Sequence, residues 1–87
     1  MPTRHVRISA HNGVHARPVA ELVRLAQAYE HPIMLRTSGG AEVDLSSVLA
    51  VMDLALAHGD EVALSTAESP EARVVLDALT EVLARRD

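Results

Sequence analysis

Cysteine, lysine, tryptophan and phenylalanine are all missing from this 87-residue chain, and Tyr29 is its one Phe/Trp/Tyr-type aromatic. Without cysteine there is no disulfide, no thiol nucleophile and no Cys-ligated zinc. Without aromatics there is no platform on which bases stack, which removes the common single-strand RNA and DNA readers. Lysine is absent too, so all eight basic residues are arginine, set against 12 acids for a net charge of −4. Nucleic-acid affinity grows with the number of phosphates neutralised, so an acidic domain is a poor ligand for DNA or RNA. No apolar run nears the ~20 residues that span a bilayer, so no membrane insertion is expected. The N-terminal residues lack the apolar core of a secretory signal, and the chain is read as cytoplasmic.

What is present is aliphatic. Hydrophobic residues make up 48% of the sequence, nearly all Val, Leu, Ile, Ala and Met. A chain of this length fits one domain, taken as residues 1–87, with one core. Residues 5–10 alternate polar and apolar and predict a strand with Val6, Ile8 and Ala10 inward. His11, Asn12 and Gly13 signal a turn. From about residue 16 to 29, Val19, Leu22, Val23, Ala26 and Tyr29 recur at helical steps. Pro18 suits the first turn of that helix, where its missing N–H costs nothing. Glu21, Arg24 and Gln27 fall off the apolar face and are expected in solvent.

His31 and Pro32 break the helix. Residues 33–37 and 41–44 predict a hairpin across Ser38, Gly39 and Gly40. Asp44, Ser46 and Ser47 then compete to cap a short apolar helix over residues 48–52, which Asp53 interrupts. Residues 61–67 predict a fourth strand with Val62, Leu64 and Thr66 inward. Ser69 as cap and Pro70 at the first position predict the start of a last helix. Val75, Leu76, Leu79, Val82 and Leu83 form its apolar stripe, with Arg85 and Arg86 at its end. The order β-α-β-β-α-β-α, with one-faced strands, implies an α+β domain: an antiparallel sheet covered by helices on one side. Order alone also accommodates a ferredoxin-like sandwich with an added helix.

One stretch carries chemistry. His15 and Arg17 follow a glycine turn and precede the helix that Pro18 helps to open. Free N–H groups and the positive dipole end favour an anion there. The same dipole disfavours imidazolium, and a histidine with a reference pKa near 6.5 keeps a lone pair for a phosphoryl group. A guanidinium offers a planar fork of donors matched to phosphate. The competing reading is an exposed histidine that happens to precede a helix. His11 and His15 have a zinc-like spacing, but Gly13 and Pro18 keep the pair out of a regular helix and no acid stands nearby, so no metal and no other cofactor is expected. A hydrolase using His15 as general base lacks a second acid–base group at the motif.

These residues closely resemble the active-site region of HPr, the histidine-containing phosphocarrier family of the bacterial phosphoenolpyruvate-dependent sugar phosphotransferase system. The core is Gly13-Val14-His15-Ala16-Arg17-Pro18 within residues 8–23. Residues 45–59 resemble the family's regulatory-serine region, and residues 61–83 its last strand and helix. The resemblance implies an open-faced β-sandwich, a four-stranded antiparallel sheet with three helices on one face. It implies that His15 accepts a phosphoryl group at Nδ1 from phosphorylated enzyme I and passes it to an enzyme IIA domain. Arg17 would pair with the phosphoryl oxygens, with the helix N-terminus at Ala16 and Arg17 holding the anion. The protein would then be a carrier with a phosphohistidine intermediate rather than a conventional turnover enzyme.

Ser47 aligns with the regulatory serine, a target for a serine kinase, although capping alone explains a serine there. Val48, Leu49 and Met52 would form the partner-docking patch, with Arg24 as a basic rim. Gln27 and Ala50 stand where family members are often basic, and Asp53 adds an acid, so complementarity to acidic partners is reduced. The alternative is an HPr-like binding module of the same fold, gated at Ser47 or serving a non-sugar regulatory branch. A monomer is expected in either case.

Overall fold

The computed structural model describes residues 2–9, 16–54, 56, 57 and 59–84, with residues 16–18 described in backbone only. The elements run β1 (Thr3–Arg7), α1 (Ala16–Ala28), β2 (Ile33–Thr37), β3 (Glu42–Asp44), α2 (Val48–Asp53), β4 (Glu61–Thr66) and α3 (Ala72–Leu83). The four strands form one sheet in the order β1-β4-β2-β3, and every neighbouring pair is antiparallel.

The register explains why the sheet has one wet and one dry face. Val6 lies opposite Val62, and Leu35 lies opposite Leu64 on one side and Val43 on the other. Successive side chains of a strand alternate between faces, so these residues share a face and bury together. Ile33 and Thr66 complete it; the Thr66 hydroxyl donates to the Pro32 carbonyl at 2.9 Å, so this buried polar atom has a partner. The opposite face carries His5, Arg7, Glu61, Ala63, Arg36 and Glu42, none of them buried.

Helices cover the dry face. Val19, Leu22, Val23 and Ala26 of α1 and Val75, Leu76, Leu79, Val82 and Leu83 of α3 join the strands in one aliphatic core. α1 packs against both α2 and α3; α3 lies along β1 and β4, and α2 sits on β3. Arg4 of β1 is ion-paired with Asp77 of α3 at 2.6 Å, which marks the edge of that packing.

Several boundaries depart from the expectation. β1 begins two residues earlier and stops at Arg7, because its length is set by pairing with β4 from Thr3–Ser65 to Arg7–Glu61. Beyond it Ile8 stays buried, but its backbone bonds to the turn at Gly59 and Asp60, and Ser9 N–H donates to the Leu83 carbonyl. Ala10 lies outside the described residues. The hairpin between β2 and β3 is as expected, and Gly40 adopts φ +93° there, a conformation that favours glycine. α3 starts at Ala72 with Glu71 as its N-cap, and no side chain caps it. Ser69, the expected cap, instead bonds the Tyr29 hydroxyl, since a half-buried phenol needs a polar partner. Arg85 and Arg86 lie outside the described residues.

Leu64 is fully buried at the centre of the middle strand pair. Leu64→Ala is expected to cost about 2–5 kcal/mol in a urea unfolding titration, whereas Ala63→Ser on the opposite face is expected to change stability by less than ~0.5 kcal/mol.

Candidate functional site

The site begins where α1 begins. Ala16 is the first residue of that helix and Arg17 the second, so His15 directly precedes its N-terminus. Residues 11–15, including His11, Gly13 and His15, lie outside the described residues, as does the Arg17 side chain. The first backbone N–H groups of any α-helix lack an intrahelical acceptor, and the dipole adds partial positive charge. Pro18 falls within this first turn, as its fixed φ allows. On the other side, the chain leading into the segment is fixed by three backbone bonds: Ile8 N–H to Asp60 O at 2.8 Å, Gly59 N–H to Ile8 O at 2.8 Å and Ser9 N–H to Leu83 O at 3.1 Å.

Along α1, positions 17, 24 and 27 follow one another at seven and three residues and therefore lie on one line of the helix. Arg24 is exposed. Gln27 is exposed as expected, yet it is not idle: its side-chain amide donates to the Ser46 carbonyl at 3.1 Å. That bond fastens α1 to the residue just before the α2 cap. It joins positions 19 residues apart, so no local sequence signal could have revealed it.

The cap of α2 is resolved in favour of Ser47. Its hydroxyl accepts from Ala50 N–H at 3.2 Å, and its carbonyl accepts from Val51 N–H at 3.1 Å. Asp44 instead turns the chain out of β3. Its carboxylate accepts from Ser46 N–H at 2.8 Å and its carbonyl from Ser47 N–H at 3.1 Å. With α2 so oriented, Val51 alone among its residues is buried. Val48 is 43%, Leu49 78% and Met52 47% exposed, three of the four large apolar side chains exposed among the described residues. Ala50 is half-buried and Asp53, the last residue of α2, is exposed. An apolar patch with a charged border is the composition of a transient protein interface.

Among the described residues, no group of His, Asp and Glu is placed to hold a metal ion, and no helix is long and apolar enough to cross a membrane. The arrangement is thus a helix N-terminus preceded by a histidine, with an exposed apolar helix packed against the same α1.

Residues 2–85 match the family described as PTS HPr component, phosphorylation site. The chain is similar to Phosphocarrier protein HPr of Streptomyces coelicolor, with 36% identity over 85 residues, covering 97% of this chain and 89% of the relative. It is 34% identical over 83 residues to Phosphocarrier protein HPr of Vibrio cholerae, covering 95% of each. The crystal structure of a Phosphocarrier Protein HPr from Bacillus anthracis superposes with a TM-score of 0.84 at 29% identity, over 94% of this chain and 95% of that one.

Removing the Ser47 hydroxyl tests the cap directly. Ser47→Ala is expected to lower stability by about 1 kcal/mol, and Ser47→Asp to retain most of it, because aspartate caps equally well; both are read from thermal unfolding, with amide exchange at Ala50 as the local probe.

Proposed function

This chain belongs to the HPr family of phosphocarrier proteins, and we propose that His15 is its phosphoryl acceptor, with phosphorylated enzyme I as donor and enzyme IIA domains as recipients. The observation that supports the reading is the start of α1 at Ala16, immediately after the histidine of the Gly13–Pro18 motif. In the forward step the Nδ1 lone pair forms a bond to phosphorus as the bond from phosphorus to enzyme I breaks. In the second step a nucleophile of enzyme IIA takes the group, and the imidazole leaves neutral. Between the two, the N–H groups of the first turn of α1 and the guanidinium of Arg17 hold the phosphoryl oxygens. The stabilisation has to be moderate, since a carrier that binds its cargo too well does not release it.

Docking is assigned to α2. Val48, Leu49 and Met52 supply apolar contact, and Arg24 on α1 supplies a basic rim. Phosphorylation of Ser47 by a serine kinase would place about −1.5 to −2 charges against that patch. This second, regulatory reading is supported by position: Ser47 directly precedes the exposed Val48 and Leu49. A phosphate there stays compatible with the helix dipole while repelling an acidic partner. On this reading the domain acts as a monomer in the cytoplasm and serves either sugar uptake or a regulatory branch of the same relay.

Incubation with enzyme I and phosphoenolpyruvate is expected to give an acid-labile, base-stable phosphoprotein, with the modification found on His15 by mass spectrometry. Equal labelling of His15→Ala would sink the assignment. Arg17→Ala is expected to slow transfer about 10- to 100-fold, the equivalent of ~1.5–3 kcal/mol for a hydrogen bond to a charged group. Leu49→Ala is expected to raise the KM for enzyme I roughly five- to tenfold while leaving the melting temperature unchanged; an unaltered KM would remove Leu49 from the docking surface.

A further inference from the structure

A second apolar surface lies on the other side of α1 from the α2 patch. α1 packs between α2 and α3, and along its seam with α3 runs a shallow groove of about 310 Å³. Leu25 and Ala28 of α1 with Tyr29 just after it line one side, and the α3 cap Glu71 with Val74 and Ala78 of α3 the other. Val74 is 69% exposed, the one large apolar side chain so exposed outside α2 among the described residues. Core packing does not account for it: Val75 and Leu76 beside it are buried and Val74 is not.

Among the described residues, Glu71 is the only charged one of its lining. On α3, Val74, Ala78 and Glu81 follow at four- and three-residue steps and so share one face, and the N-cap Glu71 lies three residues before Val74. The line is acid, apolar, apolar, acid, with its ends about 15 Å apart at 1.5 Å per residue. The chain as a whole carries −4, which steers cations towards it. A second copy of this chain fits poorly. An antiparallel pairing of two α3 helices about their midpoint would set Glu71 of one against Glu81 of the other, acid on acid at both ends.

We propose that the α1–α3 groove is a docking site for a cationic amphipathic helix of a partner protein, with an apolar residue seated on Val74 and Ala78 and Lys or Arg reaching Glu71 and Glu81. It is a helix-in-groove contact, and its small apolar area makes the complex short-lived. It lies across α1 from α2, so a partner held here leaves the α2 patch free.

The test uses the full chain, isotope-labelled, and two synthetic amphipathic helices of about 16 residues, or four to five turns. The two share one Leu/Ala stripe and differ only in having Lys or Glu on the polar face. The Lys peptide is expected to bind at least fivefold more tightly than the Glu peptide. It should shift amide signals at Leu25, Ala28, Val74 and Ala78 and leave Val48, Leu49 and Met52 unmoved. Val74→Lys and Glu71→Gln, both at exposed positions, are each expected to weaken binding at least threefold. Their circular dichroism and their phosphorylation by enzyme I should match the parent. Equal affinity for the two peptides, or shifts confined to α2, would overturn the proposal. So would shifts at the groove that depend on protein concentration without peptide, which would assign it to a second copy.

Discussion

Everything in this fold waits on β4. It is the last strand in the chain and yet a central one in the sheet, bonded to β1 along one edge and to β2 along the other. Until it arrives, β1 and the β2–β3 hairpin have no common partner. Its inward residues Val62, Leu64 and Thr66 are buried, so the hydrogen-bond ladder and the hydrophobic core close in the same event. Contacts of such long sequence separation make assembly cooperative and slow relative to a helical bundle of the same length.

Once β4 is in place, the approaches to the Gly13–Pro18 motif follow from it. The turn before β4 carries Gly59 and Asp60, which hold Ile8, and the end of α3 holds Ser9. The start of α1 is fixed from the other direction by burial of Val19, Leu22 and Val23 in the core. The described residues on either side of the motif, Ser9 and α1, are thus both anchored. α2 contributes in the opposite manner: six residues with one buried side chain cannot stand as a helix unaided. It relies on the Ser47 cap, the Asp44 turn and the Gln27 bond from α1. A carrier must meet several proteins in turn.

Much of this was legible in the residues because each element obeys its own period. The alternation of Val62, Leu64 and Thr66 and the helical recurrence of Leu22, Val23 and Ala26 are local signals, and burial follows them. The hairpin was legible because Gly39 and Gly40 have few other uses between two strands. What escaped were features decided by a partner distant in sequence. β1 takes its ends from β4 rather than from its own alternation. Ser69 reads as a cap until Tyr29, 40 residues earlier, claims its hydroxyl. Gln27 is exposed as its position implies, but its bond is to the Ser46 carbonyl just before α2, 19 residues on. At the site, the Ser47 cap was one of three local candidates, and only the path of the chain out of β3 separates it from Asp44.

The strand order has one more consequence, for how copies of this protein behave when crowded. Among the described residues β1 and β3 are the sheet's two edge strands, and they differ in sign: β1 carries Arg4 and Arg7, while β3 carries Glu42 and Asp44. Opposite edges of opposite charge invite head-to-tail stacking, the open-ended association that grows fibres instead of closing into a ring. Two intramolecular ion pairs work against it. Arg4 is spent on Asp77 and Glu42 on Arg36, so each edge loses part of the charge that would attract the other. The three-residue length of β3 leaves little ladder to pair with, and the protein is guarded against polymerising along its own sheet.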